Sequence, residues 1–116
     1  MADSLSTSLQ GDTRLSADEE TVELSCAGMG GCAIQVDGTF TGTITFEGTA
    51  DGGNWAALRV CPIGTSVSAT TTTAAGCWFA CCVGLLKVRA RMSTYSDGSA
   101  VVVIRAVPSA PWGAIT

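Results

Sequence analysis

The chain has 116 residues, 47% of them hydrophobic and only 14% charged, with no histidine and a net charge of −4. That length makes one domain around one core, and the missing histidines exclude Ser-His triads, Cys-His nucleophiles and His-ligated zinc. An average domain is about 25% charged, so much of the apolar surface here must be covered, by a core or by neighbouring subunits.

Residues 1–20 are polar and acidic and predict an extended N-terminal arm without its own core. Asp3, Asp12, Asp18, Glu19, Glu20 and Glu23 stand against Arg14 alone, so residues 1–23 carry −5 and the other 93 residues +1. An acidic arm on a near-neutral body argues against nucleic acid as a partner. It suits a basic patch on a neighbour, with Asp18, Glu19 and Glu20 as the contacts. The opening "MADSLSTSLQGD" lacks the basic start and apolar core of a secretory signal. No apolar run approaches the ~20 residues of a membrane helix. The expectation is a product assembled in a host cytoplasm, with no membrane partner.

From Thr21 the texture changes to short β-branched runs punctuated by glycine, which predicts an all-β domain over 21–107. Asp-Gly occurs at 37–38, 51–52 and 97–98, and such pairs suit tight hairpins. Between these turns the strands fall near 22–27, 32–36, 42–48, 54–60, 65–71, 76–83, 85–94 and 99–107. About eight short antiparallel strands read as a β-sandwich, jelly-roll-like.

Alternation assigns the faces. Ile44 and Phe46 point to the core. Leu86, Val88, Ala90 and Met92 share one face, and Lys87, Arg89 and Arg91 the other. Trp78, Ala80 and Cys82 face one way; Phe79, Cys81 and Val83 face the opposite way and are apolar too, as are both sides of 101–104. Strands apolar on both faces need a second cover. Residues 108–116 form a tail, and Trp112 in it is expected to dock on the body or a partner.

The Asp51-Gly52-Gly53-Asn54 loop has too few acidic oxygens for calcium and reads as a turn, with Trp55 behind it as a packing anchor or a sugar platform. Cys26, Cys32, Cys61, Cys77, Cys81 and Cys82 read as buried thiols, with disulfides such as Cys26–Cys32 as the alternative; Cys77-x3-Cys81-Cys82 lacks the spacing of a zinc site. Lys87, Arg89 and Arg91 form a basic stripe, joined by Arg105 if the last two strands pair. The stripe is either a solvated face or the partner of a neighbour's acidic arm. No catalytic constellation appears, and no cofactor or metal is implied.

Taken together, "GTFTGTITFEGTADGGNWAAL" and "TTTAAGCWFACCVGLLKVRARMSTYSDGSAVVVIRA" resemble small virion structural proteins of tailed bacteriophages. The resemblance rests on Phe46-Glu47-Gly48, Asp51 to Trp55, Ala74 to Trp78, Val88 to Arg91 and Arg105-Ala106, and covers about two thirds of the chain. Phe79, Cys81 and Cys82 stand where such relatives are often polar or small. The resemblance implies a non-enzymatic β-sandwich in the virion. The leading expectation is an oligomeric capsid cement or decoration protein, a trimer bound to the major capsid protein or other virion subunits. Its interface would use Asp18, Glu19, Glu20, Phe79, Cys81, Val83, Lys87, Arg89, Arg91 and Trp112. The alternatives are a tail or head–tail component, a carbohydrate-binding module using Trp55, and a secreted disulfide domain.

Overall fold

The computed structural model describes residues 9–64 and 67–108. Among them ten strands form two antiparallel sheets, and there is no helix. The strands are β1 (Leu9–Leu15), β2 (Thr21–Ser25), β3 (Gly31–Asp37), β4 (Phe40–Thr49), β5 (Ala56–Ala57), β6 (Cys61–Pro62), β7 (Thr71–Thr72), β8 (Gly76–Cys81), β9 (Lys87–Gly98) and β10 (Ala100–Val107). Sheet I has the order β1-β10-β3-β8-β6. Sheet II has the order β2-β9-β4-β5, with β7 also on β4. The fold is all-β, as the strand spacing predicted.

The core lies between the sheets, and period-two alternation builds it. Cys32, Ile34 and Val36 of β3, Trp78 and Ala80 of β8, and Val102, Ile104 and Ala106 of β10 are buried on one side. Ile44 and Phe46 of β4 and Val88, Ala90 and Met92 of β9 are buried on the other. Phe46 and Trp78 meet across the sheets, with ring centroids 5.3 Å apart and planes at 51°. A tilted aromatic pair at this distance adds to the ~1.5–3 kcal/mol that burying each large apolar side chain contributes.

Three expectations change. The segment read as an arm supplies β1, which pairs with β10 from Leu9↔Ala106 to Leu15↔Ala100. Leu15 is fully buried, so the core begins before Thr21. The count rises from about eight strands to ten, because β1 and the two-residue β6 are added, while the runs near 54–60 and 65–71 shrink to the short ladders β5 and β7. Ala69 adds a single bridge to Val60. Finally, β9 and β10 do not pair: one lies in each sheet. Asp97-Gly98 is therefore a crossing between sheets, as is Asp37-Gly38 between β3 and β4. Only Asp51-Gly52 joins strands that pair with each other, β4 and β5.

Candidate functional site

The expected interface residues separate onto opposite faces of the sandwich. Lys87, Arg89 and Arg91 lie on the outer face of sheet II, since Val88, Ala90 and Met92 between them are buried. Phe79 and Cys81 lie on the outer face of sheet I, where Trp78 and Ala80 alternate inward. Arg105, exposed on β10, belongs to sheet I and not to the stripe. Trp112 lies outside the described residues.

The sheet II face is a ladder of ion pairs closed within the chain. Register places Glu47 of β4 and Glu23 of β2 on either side of Arg89. Arg91 grips Glu47 with a two-pronged contact: Nε donates to Oε1 and Nη2 to Oε2, both at 3.1 Å. Arg89 Nε donates to the same Oε1 at 2.7 Å. Glu23 takes the outer ends, 3.8 Å from Arg89 and 3.9 Å from Lys87. Three bases meet three acids once Glu19 is added, through Arg91 Nη1 donating to both of its oxygens at 3.0 Å.

Burial alone would raise the Glu47 carboxyl. The hydrogen bonds and charges of Arg91 and Arg89 outweigh it and hold the group below the usual carboxylate range. The Glu47 hydrogen bonds in turn raise the Arg91 guanidinium.

The acidic residues expected to reach a neighbour are used at home. Asp18 Oδ1 accepts from the Tyr95 amide at 2.6 Å, Glu20 Oε1 accepts from the Ser16 amide at 2.6 Å, and Glu19 holds Arg91. The tight connection from β1 to β2 lays them across the middle of β9, where the Glu19 amide donates to Met92 O at 2.7 Å. The partners that sequence reasoning missed are Glu47 and Glu23. Alternation puts both on outer faces, but only strand register shows which bases they meet.

Trp55 stacks on the Arg89 guanidinium, whose Cζ is 3.9 Å from the ring centroid, a cation–π contact. It covers the ladder rather than anchoring the core. The loop before it satisfies itself. Asp51 Oδ1 accepts from Thr49 Oγ1 at 3.0 Å and from the Gly53 and Asn54 amides at 2.8 Å, and Oδ2 accepts from Asn54 Nδ2 at 2.8 Å. These bonds, the Asn54 and Gly53 amides first, push the exposed Asp51 carboxyl well below its ordinary value. The carboxylate is spent on holding the turn.

The outer face of sheet I differs. Val101, Val103, Ala33, Cys77 and Phe79 are half-buried on it and Cys81 is exposed. Val83 beyond β8 is 68% exposed, and Ile63 beyond β6 is 59% exposed. The polar side chains Arg14, Gln35, Asp37 and Arg105 are spread over β1, β3 and β10. All six cysteines are free thiols; Cys26, Cys32 and Cys82 are buried.

No family model matches the chain, and no curated protein matches it in sequence. Solved structures do. The SPBc2 prophage-derived protein YomS is similar with a TM-score of 0.65 and 18% identity, covering 84% of this chain and 94% of that one. Its fold is shared with a prophage-derived protein. The PBSX exported protein XepA gives 0.71 at 19% identity over 87% of this chain, which corresponds to 38% of XepA. A family 29 carbohydrate-binding module, CBM29-2, aligns at a TM-score of only 0.48 with 5% identity, and this carries no argument about glycans. At such identities the likeness is one of fold, and function has to be argued from the surfaces.

Proposed function

We propose that this protein is a non-enzymatic structural subunit of a bacteriophage virion, a cement or decoration protein that docks on the head shell through the outer face of sheet I. The observation that carries the docking surface is the contrast between the two faces. Sheet II presents charges already paired with one another, and partners gain little from them. Sheet I presents the exposed Cys81 beside half-buried valines, with Val83 exposed on the turn that follows β8, the kind of surface that gains from being covered. The fold shared with YomS supports a phage setting for that surface. The Trp55 ring is already engaged by Arg89, which disfavours the glycan reading.

Co-sedimentation with empty shells of the encoding phage tests this. Wild-type protein should pellet with shells, and Val83→Glu with Cys81→Glu should reduce binding at least tenfold without changing the circular dichroism spectrum. Arg89→Ala should bind as wild type. Binding to tails and not shells, or loss with Arg89→Ala alone, would sink the cement reading. Native mass spectrometry of the unbound protein reads its oligomeric state; a trimer that buries Cys81 from thiol reagents would put a second copy, not the shell, on this face.

A further inference from the structure

Two connections at one end of the sandwich are built alike. Cys26-Ala27-Gly28-Met29 leads from β2 in sheet II to β3 in sheet I. Cys82-Val83-Gly84-Leu85 leads back from β8 in sheet I to β9 in sheet II. Each closes a turn: the Met29 amide donates to Cys26 O at 2.9 Å, and the Leu85 amide to Cys82 O at 3.1 Å. The third residue of each is a glycine at positive φ, 81° at Gly28 and 85° at Gly84, as a type II turn requires at that position. The first residue of each is a cysteine with no exposed surface.

The turns also hold each other. The Cys26 amide donates to Leu86 O at 2.8 Å, just past the second turn. The Cys82 amide donates to Gly30 O at 3.3 Å, just past the first. Cys26 Sγ donates to Leu85 O at 3.6 Å. This reciprocal arrangement packs the two buried cysteines close together at one end of the core.

The third buried thiol, Cys32, belongs to the same core cluster. However, Cys32 pairs with Ala80, so it sits one diagonal step from Cys82, which directly follows β8. Diagonal neighbours lie ~7–8 Å apart, beyond the ~4.4–6.8 Å that a disulfide usually spans. Among the described residues, no group of three or more Cys, Asp or Glu side chains is placed to hold a metal. The chemistry left to the Cys26 and Cys82 thiols is with one another.

We propose that Cys26 and Cys82 form a reversible disulfide that staples the two crossing turns, giving the protein a reduced form and a more stable oxidised form. The oxidant is a low-molecular-weight disulfide such as oxidised glutathione. The Cys82 thiolate attacks one of its sulfurs and expels the other half as a thiol. The Cys26 thiolate then attacks the Cys82 sulfur of the mixed disulfide and expels the second half. Two protein thiols lose two protons and two electrons, and one small disulfide becomes two thiols. Burial, and then Cys82 beside it, pushes the Cys26 thiol up to about 11, so exchange at neutral pH is slow and waits on opening of the turns. The ring closed by this bond spans most of the sandwich, and a cross-link over so long a loop restricts the unfolded chain strongly. The inference is independent of the virion reading.

A variant with Cys61, Cys77 and Cys81 all changed to Ser isolates the buried thiols. It is incubated with oxidised glutathione, digested without reduction, and its peptides are weighed. The expected product is a Cys26–Cys82 linked peptide that persists when Cys32→Ala is added and vanishes with Cys26→Ser or Cys82→Ser. The oxidised form should melt at least ~5 °C above the same variant reduced with dithiothreitol. Comparing two redox forms of one variant removes any effect of the substitutions on folding. A Cys32–Cys82 bond, glutathione adducts alone, unreacted thiols, or an oxidised form that melts no higher would each overturn the staple.

Discussion

Glu47 binds two guanidinium groups through one carboxylate, with its side chain only 12% exposed. A charge this covered depends on its partners, and they on it. Glu47→Gln keeps the shape but leaves Arg89 and Arg91 sharing a neutral amide. Loss of charged hydrogen bonds at such a site costs about 1–2 kcal/mol, readable as a lower urea midpoint. The pH dependence has a definite sign. The folded carboxyl lies below its unfolded value of 4.5, so the stabilisation is complete above that value and is lost as pH falls through the folded one. Glu47→Gln should flatten the acid limb of the stability profile. The buried thiols act at the other end. Burial, then the neighbouring Cys82, raises Cys26 to about 11 and Cys32 to about 12 from 9.0. The unfolded chain therefore ionises first as pH rises, and stability falls from near pH 9 upward. Under reducing conditions, the loss between about pH 8 and about pH 10.5 should be smaller in a Cys26→Ala, Cys32→Ala variant, measured by urea unfolding.

At the scale of the element, β1 decides where the domain begins. It pairs along β10 through seven residue partners and ends on Leu15, which has no exposed surface. An arm could be removed without loss. Removing residues 1–15 instead strips the edge of sheet I and opens the core at Leu15. The expected cost is at least about 3 kcal/mol, from the buried leucine and the lost ladder. It should appear as a large fall in melting temperature or as aggregation. A truncated chain that melts with the full chain would restore the arm. Trp55 stands just before the two-residue strand β5, and its ring lies on Arg89 of β9.

For the whole molecule, the two sheets divide the surface by chemistry. The charges of sheet II cancel within the chain, while the outer face of sheet I sets Val101, Val103, Ala33 and Cys77 among the separate charges of Arg14, Asp37 and Arg105. The docking proposed for sheet I would rest mainly on apolar contact, which salt does not screen. Shell binding measured at about 50 mM and at about 500 mM salt should change less than threefold. A steep fall at high salt would return the binding surface to the Lys87–Arg91 stripe.

The sequence by itself determined the class of fold and most of its facing. Ile44, Phe46, Val88, Ala90 and Met92 are buried, as alternation requires, because a strand's side chains have a period of two and water rejects the apolar set. It also placed Phe79 opposite Trp78 and Lys87 opposite Val88. What it did not contain was pairing. Whether Asp97-Gly98 folds a hairpin or crosses between sheets depends on which strands bury each other, a long-range choice that local turn chemistry does not make. That choice put Arg105 and Arg91 on opposite faces, set Glu47 between Arg89 and Arg91, turned Asp18 to Glu20 onto their own chain, and brought Cys26 against Cys82. It separates Arg105 from Arg91, and it makes neighbours of residues far apart along the chain, such as Glu47 with Arg89 and Arg91, Glu19 with Arg91 and Asp18 with Tyr95.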